Sequence, residues 1–187
     1  MATVLFINAC VRENSRTEKI ALRYLAKINE TYEEVDLDAI DFPHVDAKFL
    51  AWRDDKVAAG DFSDPRFDLA KQFARATKVV VAAPMWDLSF PAALKQYFEQ
   101  VNVPGIVFHY GPNGPVSHCH AKSLTYITTS GGPHPDEDFG FGYVKALAKT
   151  FFGIEKTTLF QAGGFDIVGA DEEELLKDAF SRVAEID

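Results

Sequence analysis

Cysteine is scarce: Cys10 and Cys119 are the only two in 187 residues. Two are too few for the disulfide framework of a small secreted domain. Positive charge is also in deficit, with 19 Lys and Arg against 28 Asp and Glu, a formal net charge of −9. That balance argues against a nucleic-acid backbone or an anionic membrane surface as the main partner. It leaves room for a nucleotide held at a local anion site. No apolar run is long enough to span a bilayer. No charged-then-apolar leader opens the chain, because strand-like residues begin at Thr3. The expectation is a cytoplasmic protein with neither a membrane nor a nucleic-acid partner. Missing, too, are internal repeats, low-complexity tracts, and any G-x-x-x-x-G-K-[ST] or G-x-G-x-x-G run near the first strand, so a triphosphate loop or a dinucleotide fingerprint is not expected there. What is abundant is phenylalanine, sixteen in all, enough for a core with some left for a ligand pocket or a subunit interface. The length predicts one domain over residues 1–187.

The most informative stretch runs from Val79 to Phe98. Val79-Val80-Val81-Ala82-Ala83 has no alternation, the pattern of a strand covered on both faces. Pro84 ends it. Pro91 suits a helix start, with Ser89 available to cap, and Leu94, Tyr97, Phe98 and Val101 then form a helical stripe. Between strand and helix lie Pro84, Met85, Trp86, Asp87 and Leu88, a loop unusually apolar for its position. A flat apolar ligand accounts for it; a plug over the sheet edge accounts for it as well.

Upstream, Thr3–Asn8 reads as a buried strand, and Glu18–Ile28 as an amphipathic helix. Ser15 or Thr17 can cap that helix. The same hydroxyls, with Arg16 between them, sit where free N–H groups and the helix dipole favour an anion. Either a simple cap or a phosphate seat fits. Tyr32–Leu37 reads as an edge strand. Residues 38–63 form a long segment rich in aromatics, predicted to cover a pocket or meet a second chain, with a helix within 47–59. A helix follows over 64–76. Downstream, Ile106–Tyr110 is strand-like, with turn signals at Gly111-Pro112 and Asn113-Gly114-Pro115. His118-Cys119-His120 has weak metal-ligand spacing and reads as a solvated loop, so no metal is expected. Lys122–Thr129 is a strand ending in Ser130-Gly131-Gly132, where backbone can approach a flat ring. Helices within 139–152 and 171–186 flank a last strand at Thr157–Gln161.

Five strands alternating with about five helices imply an α/β protein with a doubly wound parallel sheet, and at this length the flavodoxin-like order 2-1-3-4-5. Right-handed crossovers then bring the exits of strands one, three and four to one rim. The exits carry Ser15-Arg16-Thr17; Pro84, Met85, Trp86, Asp87 and Leu88; and Thr129, Ser130, Gly131 and Gly132. An anion seat, an apolar plate and a glycine turn side by side suit a phosphorylated flat ring. The combination points to FMN, with its phosphate at Ser15 and Thr17.

These residues also resemble the FMN-dependent NADH azoreductases, which overlap in activity with flavin-dependent quinone reductases. The resemblance rests on VLFINA at the start, Ser15-Arg16-Thr17, AAPMWDL at Ala82–Leu88, LKQYF at Leu94–Phe98, FHYGPNGP at Phe108–Pro115, and TSGG at Thr129–Gly132. It implies a flavodoxin-like fold, one FMN per chain, and a homodimer with active sites at the interface. The chain departs from the family pattern at Ala9 or Cys10, where a serine is common, and at Asp87, where an Asn is usual. It departs again at Val116, Ser117 and Ala121.

The expected chemistry is a two-step exchange at one site. NADH or NADPH delivers hydride to the flavin, leaves, and is replaced by a quinone or azo aromatic. No catalytic acid or base is required of the protein. Phe108 and Tyr110, with Phe151 from a partner chain, are expected on the acceptor side; for Phe151 a plain core role fits equally. A different class stays open: a flavodoxin-type one-electron carrier with no substrate of its own. A flavin-free scaffold for protein contacts is the third reading.

Overall fold

A computed structural model describes residues 3–136 and 139–186. Seven strands and six α-helices follow one another as β1 (Val4–Asn8), α1 (Arg16–Ile28), β2 (Tyr32–Asp36), α2 (Ala47–Ala59), α3 (Asp68–Arg75), β3 (Lys78–Ala82), α4 (Ala92–Val101), β4 (Phe108–Gly111), β5 (Gly114–Ser117), β6 (Ser123–Thr129), α5 (Phe141–Thr150), β7 (Lys156–Ala162) and α6 (Glu172–Val183). A 3-10 turn at Pro65–Phe67 precedes α3.

Five strands form a parallel sheet in the order β2-β1-β3-β6-β7. This is the flavodoxin-like order expected from the alternation of elements. β1 and β3 sit at the centre, and their side chains are buried on both faces, which is why neither alternates in sequence. β2, with Glu33 and Glu34, takes one edge. Helices cover both faces. Leu5, Ile7, Val79 and Val81 meet α3, α4 and α5 on one side, and Val4, Phe6, Val80 and Ala82 meet α1 and α6 on the other.

Two segments gain detail. The strand-like piece near Tyr110 is half of a separate antiparallel hairpin, β4–β5, with Phe108 opposite Ser117. Aromatics of 38–63, expected to cover a pocket or meet a second chain, pack in part against the core. The helix falls at 47–59 as expected, and Phe42, Trp52 and Phe62 lie against the core. Trp52 stacks on Phe67 at 5.3 Å, with the Arg66 guanidinium 3.4 Å above its ring. Among the described residues no helix is long and apolar enough to cross a membrane.

Candidate functional site

The exits of β1, β3 and β6 are tied together by Thr129. Its carbonyl accepts from the Met85 N–H at 2.9 Å. Its hydroxyl lies 2.6 Å from that of Thr17, in the first turn of α1. The last residue of β6 thereby fixes the β3 loop on one side and the start of α1 on the other.

At the first exit, Ser15 caps α1 and its Oγ accepts from the Glu18 N–H at 3.4 Å. The first-turn N–H groups of a helix have no carbonyl one turn back to bond. Here they face a cleft of about 260 Å³ bounded by Asn14, Ser15, Arg16, Thr17 and Trp86. The Thr17 side chain is buried and committed to Thr129, so Ser15 and the backbone are the groups left to meet an anion. The Arg16 guanidinium is bound by two carboxylates: Nη1 donates to Asp166 at 2.8 Å and Nη2 to Glu172 at 3.0 Å. Cys10 lies just after β1 and is buried. Burial pushes its thiol up to about 12, so it is a neutral packing residue and not a nucleophile.

At the second exit, Trp86 and Ser89 exchange backbone hydrogen bonds of 3.1 and 2.9 Å around Asp87 and Leu88. Both central residues are left-handed, at φ 50° and 68°, as in a type I′ turn. Asp and Asn tolerate this region because their short polar side chains bond locally, which explains how Asp87 replaces the usual Asn. Leu88 has no such excuse. A bulky residue held left-handed is strained, and such strain concentrates at functional sites. Its side chain is 53% exposed, and with Met85 and Trp86 it presents the apolar plate. Ser89 does not cap α4; its hydroxyl donates to the Phe139 carbonyl at 3.1 Å, and Pro91 occupies the cap position.

At the third exit, Ser130 donates its hydroxyl to the Gly132 carbonyl at 2.6 Å, tightening the glycine turn. A Cβ on Gly131 would lie 2.3 Å from the Asp166 carboxylate, so a side chain there would have to displace that carboxylate. The N–H groups of Asp87, Leu88, Gly131 and Gly132 have no hydrogen-bond partner among the described residues. A cleft of about 540 Å³ lies between Trp86, Asp87, Ser130, Gly131, Arg16 and Asp166. Through Met85 it adjoins another of about 310 Å³, beneath Leu88, Phe139 and Phe141. His134, which borders the latter, keeps Nε2 buried with no partner among the described residues. Burial pushes this imidazole below its ordinary value, while a hydrogen bond to the Ala162 backbone works the other way.

The twelve residues predicted to hold a cofactor are thus brought to one rim. Phe108 and Tyr110, predicted on the acceptor side, lie elsewhere, and the expectation for Phe151 concerns a partner chain. Phe108 is buried in the core, with Phe151 of the same chain 4.9 Å away and Tyr110 5.2 Å away; Tyr110 is 69% exposed and Phe151 half-buried, and none of the three lines the clefts described. His118 does not pair with His120. It meets His109 across the hairpin at 2.7 Å, a cross-strand contact that sequence adjacency conceals. Asp166, Glu172 and His134 were not anticipated. The signal available was Ala162-Gly163-Gly164, a fourth strand exit on the same rim.

A doubly wound sheet with a helix start, an apolar turn and a glycine turn converging on its carboxyl rim defines a flavodoxin-like protein. The family described as flavodoxin-like fold matches residues 2–186. Among its relatives is an FMN-dependent NADH:quinone oxidoreductase of Coprothermobacter proteolyticus, 33% identical, with 100% of this chain and 98% of that one aligned. The Clostridium beijerinckii protein of the same name is 31% identical over 99% and 98%. An FMN-dependent NADH-azoreductase from Bacillus anthracis, solved in complex with FMN, superposes with a TM-score of 0.81 at 25% identity, covering 99% of this chain and 97% of that one. The chain belongs to this family of FMN-dependent NADH:quinone oxidoreductases and azoreductases.

Proposed function

We propose that this chain is a single-domain, FMN-dependent NAD(P)H oxidoreductase that passes two electrons to quinones or aromatic azo compounds. One observation carries the reading: Thr129 joins the anion-seat helix, the apolar turn and the glycine turn into one continuous rim. The residues present fit FMN. The unpaired N–H groups of Asp87, Leu88, Gly131 and Gly132 are donors suited to the nitrogen and carbonyl edge of a flavin. The strained plate is apolar where a ring would lie. The names and FMN complex of the relatives support the same assignment.

Ser15 and the first-turn N–H groups of α1 hold the phosphate in this reading. Pro84, Met85, Trp86 and Leu88 back the ring, and Asp87 acts through its N–H. When bound, FMN supplies the hydride chemistry between nicotinamide and acceptor. The chain's part is to orient the ring, keep water from the face against Met85, and leave the other face open to flat substrates. Donor and acceptor use that face in turn, a ping-pong order. No side chain need deliver a proton. A homodimer belongs to this reading through the family resemblance, and a cytoplasmic location is consistent with two unpaired cysteines.

The test is anaerobic addition of NADH to the FMN-loaded chain. Bleaching of the flavin band, with colour restored by a benzoquinone or an azo dye, is expected. A yellow chain that NADH leaves unchanged would instead indicate a one-electron carrier.

A further inference from the structure

Arg16 borders both the anion seat and the ring cleft, yet its guanidinium serves neither directly. Two residues of the segment between β7 and α6, with the first residue of α6, converge on it. Asp166 and Glu172 take its two terminal nitrogens, and Phe165 places its ring 5.1 Å from Cζ. The same segment holds the glycine turn by backbone alone. Gly164 donates to the Gly132 carbonyl at 2.9 Å, Asp166 to that of Gly131 at 2.8 Å, and Phe165 to that of Ser130 at 3.4 Å, while Ser130 donates back to Ala162 at 3.1 Å. Asp166 is the joint between the two sets: its N–H holds Gly131, its carboxylate fills the space a Gly131 side chain would need, and that carboxylate is bound by Arg16.

We propose that Arg16 is a positioning residue, a clasp that sets the glycine turn through Asp166 and cancels the Asp166 charge beside the ring, and not a ligand of the phosphate. The inference rests on the FMN reading for its consequences, but not for its mechanics. An isolated pair this exposed contributes little. Two carboxylates and an aromatic face on one guanidinium form a network, and the network closes a span of 150 residues between α1 and the segment after β7. Removing the cation leaves Asp166 ionised against Gly131, where an electron-rich ring edge would be disfavoured.

The test compares Arg16→Gln, Asp166→Asn and the double variant in the full-length chain. In the cofactor-free chain, amide hydrogen exchange at Gly164, Phe165 and Asp166 is expected to rise in Arg16→Gln, with partial restoration in Arg16→Lys. This arm judges the clasp whether or not FMN binds. With flavin, Arg16→Gln is expected to weaken FMN and riboflavin in parallel, by about five- to tenfold, the scale of two ion pairs and a cation–π contact. Riboflavin lacks the phosphate, so a parallel loss places the defect at the ring. The double variant is expected to lose no more than the worse single one, because both act through one contact. The reduction potential of bound FMN is expected to fall in Arg16→Gln and to recover in the double variant, where the uncompensated charge is gone. Loss of FMN affinity with riboflavin untouched would make Arg16 a phosphate ligand and overturn the proposal. So would unchanged exchange at those three amides. A wild-type chain that binds no flavin at all would refute the functional reading instead.

Discussion

At the scale of single residues, the site is built from departures that sequence statistics would discourage. Leu88 is the clearest. A left-handed conformation costs an ordinary L-residue about 1–2 kcal/mol, and an exposed leucine recovers little of that by packing. Glycine at this position relieves the strain but adds flexibility to the unfolded chain worth about 0.5–1 kcal/mol. Leu88→Gly is therefore expected to leave the unfolding free energy unchanged or raise it by up to about 1.5 kcal/mol. Urea unfolding measures this, and a loss larger than 1 kcal/mol would show that Leu88 is held by packing after all. Asp87 was legible only in part. Its identity as a family departure was visible, but the reason it is tolerated is φ 50°, which no residue pattern reports. Arg16 was legible as a member of the rim and not in its direction. Its partners lie 150 and 156 positions away, and side-chain pairing at such separation leaves no periodic trace.

At the scale of elements, periodicity and turn chemistry carried most of the reading. Unbroken apolar runs marked β1 and β3 because both faces of those strands are covered, and charge marked β2 because it is an edge. Ser15 before α1 and Asp171 before α6 are caps in the structure, the latter accepting from Glu173 and Glu174 at 3.0 and 3.1 Å. The β4–β5 hairpin was half seen. Pro112-Asn113 marked a turn, but four-residue strands with Pro115 in one of them give too short an alternation to read. The aromatic-rich 38–63 segment was read as a pocket cover or a second-chain contact; Trp52 and Phe62 of it pack on Phe67 of the 3-10 turn. The core on that face depends on contacts between elements. Phe73 of α3 meets Phe152, just after α5, with ring centroids 4.5 Å apart and both side chains fully buried. Phe73→Ala is expected to cost about 3–5 kcal/mol through lost transfer energy and a residual cavity. Denaturant unfolding reads this, and a cost below 1 kcal/mol would mean that α3 can collapse into the space.

At the scale of the whole molecule, the order of the sheet turns three separate and individually weak signals into one site. A serine at a helix start, an apolar loop and a pair of glycines are each commonplace. Their placement on adjacent strand exits is not, and the order β2-β1-β3-β6-β7 makes them adjacent. That order followed from alternating strands and helices joined by right-handed crossovers, so the meeting of the three exits was readable before any side chain was placed. Thr129 supplies the physical bond between the three parts, and the family relationship supplies the chemistry they are used for. The most direct measurement is titration of the cofactor-free, full-length chain with FMN, followed by flavin fluorescence. Saturable quenching at one FMN per chain is predicted. A chain that is folded by circular dichroism yet leaves FMN fluorescence unchanged up to millimolar concentration would contradict the convergence of the three exits on a flavin.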